Sequence, residues 1–289
     1  MKKGLLYASM ACVLGLGACE EKGPAIDFGG GPVAADTTYV TTAETPQKRN
    51  LIVEEFTGAS CPPCPPAREK LNNVAAQNPG RVFPIEMHIN NYPQSKPAEG
   101  HKYDLRTDDG TSIGATIYGG VRAMPSAGVA RTPVGGQLLL DDGQWAGTIA
   151  NVLGTTTPVN MEVTSTYDAT AHVATIRVKV AYTAAVAAKQ YLSVAILEDN
   201  IVDVQEYADH YEDNYTFHHT LRDFITPIAG EEMLADVATK EAGRVYVRTY
   251  TYNVKEEWNA DNCAVVAFVH NNDATSKEVI QAAEAKIKE

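Results

Sequence analysis

Apolar and polar positions follow two different periods along the chain, and the change falls near residue 155. Before it, short β-branched runs alternate with helical spacing. Leu51–Phe56 is an apolar run bounded by Thr57-Gly58 and predicts a strand. Val74 and Ala75 stand three and four residues after Leu71 within Ala67–Ala76, which predicts a helix with one apolar face that Asn78-Pro79-Gly80 stops. Val82–Ile89 predicts a second strand, with Pro84 weakening one edge. Residues 91–117 are polar and broken by Pro93, Pro97, Gly100, Gly110 and Gly114, and read as an insertion holding one short helix. Val134-Gly135-Gly136-Gln137 predicts a hairpin turn before a strand at Leu138–Leu140. Asp142 is placed to cap a helix whose apolar face is Trp145, Ile149, Val152 and Leu153, ending at Gly154.

Beyond Thr155-Thr156-Thr157-Pro158, which reads as a linker, strict alternation takes over. Met161–Tyr167, Val173–Tyr182, Tyr191–Leu197, Arg244–Tyr252, Ala264–His270 and Glu278–Ala283 all predict strands, and Ile176, Val178, Val180 and Tyr182 show the period most clearly. Many strands with turn signals and little helix predict a β-sandwich. The expected layout is an α/β domain over residues 50–156 and an all-β domain over residues 157–289. Residues 19–49, with Gly29-Gly30-Gly31-Pro32, read as a tether holding one short edge strand at Tyr39–Thr42.

The first residues carry an address rather than a fold. Lys2 and Lys3 precede an apolar stretch, Leu5–Leu16, too short to span a bilayer comfortably. Leu16-Gly17-Ala18-Cys19 resembles a bacterial lipobox, so residues 1–18 are expected to be removed and Cys19 lipidated; the alternative is an ordinary secretion signal cleaved near Ala18. Glu20 and Glu21 resemble signals that send lipoproteins onward to the outer membrane. The net charge of −12 and the lack of a basic cluster argue against nucleic acid as a partner.

Of five cysteines, Cys12 lies in the signal and Cys19 is the lipid site, which leaves Cys61, Cys64 and Cys263. Cys61-Pro62-Pro63-Cys64 sits between a predicted strand and a predicted helix. With Cys61 at the helix start and Pro62 at the first helical position, free amides and the helix dipole would favour a thiolate on Cys61, and Cys64 would resolve it. Pro62, Pro63, Pro65 and Pro66 carry no N–H, so Cys64 alone among residues 62–66 can offer an amide to the Cys61 sulfur. The same pair can equally be a static disulfide that staples a turn. Cys263 reads as a buried, inert thiol. No metal or cofactor is expected: Cys263 and His270 have the wrong spacing for zinc, and Pro65 stands where haem attachment needs histidine. His210, His218 and His219, with Asp209, Glu212 and Asp213, read as a solvated loop. Glu54 reads as a solvated neighbour of Glu55, and Trp145 as core. The tyrosines of the second half (Tyr207, Tyr211, Tyr215, Tyr246, Tyr250 and Tyr252) read mainly as sandwich residues, with an exposed row able to bind protein or glycan.

Val53-Glu54-Glu55-Phe56 leading to Cys61-Pro62-Pro63-Cys64, followed by Val121-Arg122-Ala123-Met124-Pro125-Ser126, resembles the two halves of a thioredoxin-fold active site. The resemblance implies a cis Pro125 beside the cysteine pair, Met124 against a substrate backbone, and Glu55 as the buried acid that handles the proton of Cys64. Ser60 departs from the tryptophan usual in that fold, the interval from cysteine to proline is longer, and an extra glycine stands near Gly119-Gly120. Together with Phe56-Thr57-Gly58, Leu197-Glu198-Asp199-Asn200 and His218-His219-Thr220-Leu221-Arg222, residues 50–289 are similar to the outer-membrane-protein-28-related lipoproteins of Gram-negative bacteria. That resemblance implies an α/β thioredoxin-like domain followed by an all-β immunoglobulin-like sandwich, lipid-anchored at the outer membrane. Two functions follow. One is a thiol–disulfide oxidoreductase acting on exported protein thiols or disulfides through Cys61, Cys64 and Glu55, with Met124 and Pro125 binding substrate. The other is a surface binding or adhesion lipoprotein in which Cys61–Cys64 is structural.

Overall fold

The computed structural model describes residues 35–97 and 100–288. The expected signal, the lipidation site Cys19 and the tether up to residue 34 lie outside the described residues. The first half runs β1 (Ala35–Val40), β2 (Leu51–Thr57), α1 (Cys64–Gln77), β3 (Val82–Ile89), β4 (Arg106–Thr107), α2 (Asp108–Thr116), β5 (Ser126–Val129) and α3 (Asp142–Leu153). The second half is all strand: β6 (Val159–Asp168), β7 (Val173–Tyr182), β8 (Tyr191–Glu198), β9 (Ile201–Glu206), β10 (Tyr211–Phe217), β11 (Thr220–Phe224), β12 (Glu231–Glu232), β13 (Arg244–Asn253), β14 (Cys263–His270) and β15 (Val279–Lys286).

The expected α/β thioredoxin-like domain followed by an immunoglobulin-like sandwich is corrected by how these strands pair. A local β2–α1–β3 unit exists, with β2 and β3 parallel. Its sheet, however, is completed by strands from the second half, in the order β15-β14-β8-β11-β3-β2-β5. The seam is Thr220 beside Glu86, where the Glu86 amide donates to the His219 carbonyl at 2.8 Å. A second sheet, β1-β13-β7-β6, recruits β1 from ahead of residue 50. The physical reason is edge protection. The outer edge of β3 would otherwise present unpaired amides and carbonyls; β11 pairs with it at Glu86 and β4 at His88 and Ile89. Alternation in a sequence reports which face of a strand is buried, not which strand lies beside it.

One core therefore mixes both halves, with Leu51, Ile85 and Trp145 in the same cluster as Leu221, Phe268 and Ala282. A second core, between the four-stranded sheet and the other face of β8 and β14, holds Val178, Tyr182, Val194, Tyr250 and Val265. All seven residues of β2 and all eight of β3 are buried, because helices and second-half loops cover the sheet on both faces. Trp145 is core, and its Nε1 donates to the Leu140 carbonyl at 2.9 Å. Leu138–Leu140 is not a strand: Leu140 alone bridges Ala127. The predicted turn at Val134–Gln137 forms, closed by reciprocal backbone hydrogen bonds.

Candidate functional site

α1 begins later than the cysteine spacing suggests. Pro63 is its N-cap and Cys64 its first residue, with Pro65 and Pro66 in the opening turn where no N–H is needed. The expected placement of Cys61 at the helix start is thus corrected. The Cys64 amide donates to the Cys61 carbonyl at 3.0 Å, closing a turn. Cys61 and Cys64 form a disulfide, and neither residue has any exposed surface.

Two segments bury the pair. A strap after β3, containing the 3-10 turn Pro93–Ser95, lies against residues 57–60. The Ser60 amide donates to the Gln94 carbonyl at 2.9 Å, and Ser95 Oγ donates to the Thr57 carbonyl at 2.8 Å. Gly58 permits this approach, since a Cβ there would stand 2.0 Å from the Gln94 oxygen. From another side β9 supplies Gln205, whose Nε2 donates to the carbonyls of Gly58 (3.2 Å) and Cys61 (3.5 Å). The Glu206 amide donates to the Ala59 carbonyl at 2.9 Å. The segment from residue 100 to β4 is tied to β9 by Asp203, which is fully buried and accepts amides from Lys102 and Tyr103. Its carboxylate also meets His101 Nδ1 at 3.1 Å.

Met124–Pro125 is a cis peptide bond at the mouth of β5. β5 pairs antiparallel with β2, Ser126 opposite Phe56, so Pro125 falls opposite Thr57. Met124 Sδ lies 3.5 Å from Ser95 Oγ. Met124 therefore touches the strap at the residue that also holds Thr57.

Beneath the pair lies a buried charged cluster. Glu55 and Glu86 are in register on β2 and β3, and both are buried. Arg68, on the inner face of α1, pairs with Glu86 through Nε at 2.6 Å. Its other nitrogens donate to Thr57 Oγ1 at 2.7 Å and to the Tyr215 hydroxyl at 2.8 Å. Burial raises the Glu55 carboxyl to about 7, against the pull of Arg68, and neither of its oxygens has a hydrogen-bond partner among the described residues. Burial likewise raises Glu86 despite its pairing with Arg68. One guanidinium cannot neutralise two buried carboxylates, so the cluster retains a proton near neutral pH. His88, in the same strand as Glu86, is held neutral by burial and by Arg68. Arg68 was not singled out in the sequence, although a lone arginine at the i, i+3 spacing with the core residue Leu71 was the available signal.

On the opposite face of β2, Glu54 is fully buried, which corrects its expected solvation. Arg131 grips it with two nitrogens at 2.9 and 2.7 Å, and the Tyr118 hydroxyl donates to it as well. Because β2 is covered on both faces, Glu54 stays charged only with a cation of its own, Arg131. Gly128 gives Tyr118 its path, since a Cβ there would lie 2.0 Å from the tyrosine oxygen. Cys263 is free and buried, and burial pushes its thiol up to about 12. His218 and His219 are half-buried beside Asp199 rather than fully solvated. Among the described residues no three of His, Cys, Asp and Glu converge to hold a metal ion, and no helix is long and apolar enough to cross a membrane.

A β-rich chain with a sealed disulfide is the class defined by this geometry. Residues 116–289, more than half of the chain, match the family described as Outer membrane protein Omp28, and the chain belongs to that family. Membership places it at the outer membrane. The matched stretch starts after Glu55, Cys61 and Cys64, so these residues draw no role from it. Among solved structures the chain is similar to HBP35 of Porphyromonas gingivalis, at 17% identity with a TM-score of 0.66, covering 84% of this chain and 77% of that one. This is a likeness of fold, and it spans both halves. A protein from Agrobacterium tumefaciens aligns at 15% identity with a TM-score of 0.48, covering 85% of this chain and 97% of that one. No curated protein matches the chain.

Proposed function

We propose that the chain is an outer-membrane binding protein, lipid-anchored through Cys19, in which Cys61–Cys64 is a structural cross-link. The observation that carries this reading is the burial of both cysteines with no exposed surface. Thiol–disulfide exchange requires an incoming thiolate to reach a sulfur, and the strap and Gln205 occupy the approaches. Glu55 is read as an electrostatic neighbour of this pair: burial keeps its carboxyl protonated more readily, while Arg68 ties α1 to β3 through Glu86.

The test is a double replacement of Cys61 and Cys64 by serine in the full chain. A structural cross-link closing so short a loop contributes about 2 kcal/mol. The variant is expected to unfold at correspondingly lower denaturant while remaining at the outer membrane. Loss of a dithiol-dependent activity toward exported proteins, with stability unchanged, would contradict the reading. For the anchor, replacing Cys19 by alanine is expected to release the chain from the membrane fraction.

A further inference from the structure

The hairpin β9–β10 forms a two-stranded sheet of its own, and between it and the outer side of α1 lies a groove of about 520 Å³. One wall is prolines: Pro62, Pro65 and Pro66. The other is aromatic, from Tyr207 and Tyr215. Both rings are held. Tyr207 stacks on His210 with centroids 4.7 Å apart, and the Tyr215 hydroxyl accepts from Arg68 while its ring meets Phe217 at 4.8 Å. Rigid walls of this kind lose little conformational freedom on binding.

The charge of the groove has one sign. Its ionisable side chains besides the tyrosines are Glu69 and Asp209, both exposed, and Asp209 Oδ1 meets His210 Nδ1 at 2.7 Å while its other oxygen has no protein partner among the described residues. The hairpin over residues 206–213 adds Glu206, Glu212 and Asp213 and contains no lysine or arginine. Neighbouring cations are engaged elsewhere: Arg68 with Glu86, and Lys70 with Asp142 at 2.5 Å. Asn72, which lines the groove, has a buried Oδ1 with no partner among the described residues. The site thus offers carboxylates and aromatic faces.

Deepening the reading of the chain as a binding protein, and resting on it, we propose that this groove binds an extended cationic segment of a partner protein, with an arginine or lysine laid between Tyr207 and the prolines. A guanidinium has only donors to offer, which fits a site rich in acceptors, and its plane stacks on tyrosine while its edge pairs with a carboxylate. A neutral glycan would also stack on the tyrosines. Its hydroxyls bring no charge for Glu69 and Asp209.

The experiment titrates the purified full chain with a fluorescent peptide of alternating arginine and glycine. Its charge-reversed counterpart, with glutamate for arginine, and a neutral oligosaccharide are run in parallel. Saturable binding of the arginine peptide is expected. It should weaken roughly tenfold or more in the double variant Glu69→Lys/Asp209→Lys. Tyr207→Ala should weaken it by about three- to fivefold. A control pair, Glu162→Lys/Asp236→Lys, makes the same change in net charge at exposed positions outside the groove and should leave affinity near that of the parent. Equal losses in the groove and control pairs would overturn the proposal in favour of diffuse attraction to an acidic surface. Tyr207-dependent binding of the oligosaccharide without binding of the peptide would overturn it in favour of a glycan. Mass spectrometry of the same samples, which reads the Cys61–Cys64 bond, keeps failure of the groove distinct from failure of the structural-disulfide reading.

Discussion

Glu55 and Glu86 stand side by side, in register on adjacent parallel strands, and draw on a single guanidinium, that of Arg68. The Glu55 carboxyl, raised to about 7 by burial, makes stability depend on pH in a defined direction. A group whose folded pKa lies above its unfolded value of 4.5 contributes stability below about pH 4.5, and that contribution is lost as pH rises through about 7. Glu55→Gln removes the ionisable group while keeping the side chain's size and shape. The variant is expected to gain on the order of 2–3 kcal/mol relative to the parent between pH 5 and pH 8, measured by urea unfolding at both. An identical difference at the two pH values would show that Glu55 does not titrate in this window.

Arg68→Met leaves two buried carboxylates without their cation. Breaking a buried pair from one side costs roughly 3–5 kcal/mol. Since protonation relieves both acids, much of the loss should return at pH 5. Thermal melts at pH 5 and pH 8 check this, and a loss independent of pH would point to packing alone.

The strap depends on the missing side chain of Gly58. Gly58→Ala puts a Cβ within 2.0 Å of the Gln94 oxygen, so the strap must move. Overpacking of this kind costs roughly 1–3 kcal/mol. The more telling consequence is access. In the variant, the Cys61–Cys64 bond should become reducible by mild dithiothreitol in the folded state, read by alkylation and mass. If it stays as resistant as in the parent, the strap is not what covers the sulfur atoms.

Cys263 should behave as an inert core thiol. With its thiol pushed up to about 12 by burial, iodoacetamide at pH 8 is expected to leave it unmodified until denaturant is added. Rapid labelling of the native chain would mean that β14 opens locally.

How far the sequence disclosed this structure can be judged from particular residues. The spacing around Leu71 and the run Leu51–Phe56 placed α1 and β2, because amphipathic period and β-branching act locally. Alternation found β7 and β13, whose core positions Ile176, Val178 and Tyr250 are fully buried. What it could not convey was that β11 would close the edge of β3, since strand partners are fixed by long-range packing. The same gap explains the misreading of Glu54. Its burial follows from α2, Tyr118 and Arg131 covering the far face of β2, and Arg131 lies 77 positions along the chain. Asp209, His210, Glu212 and Asp213 read as a loop; Asp209 and His210 do lie in the turn between β9 and β10, whereas Glu212 and Asp213 lie in β10, paired with β9. At the site itself, the cysteine pair and the cis Met124–Pro125 bond were legible, but the seal over them was not. That seal is made by Gln94, Ser95 and Gln205, ordinary polar residues whose role appears only when the chain brings them together.

The most direct measurement is the reduction rate of the Cys61–Cys64 bond in the folded, full chain, followed by alkylation and mass spectrometry across a denaturant series. A sealed structural disulfide predicts reduction that tracks unfolding, with negligible loss of the bond in native buffer containing mild dithiothreitol. Rapid native reduction, with Cys61 labelled ahead of Cys64, would contradict it.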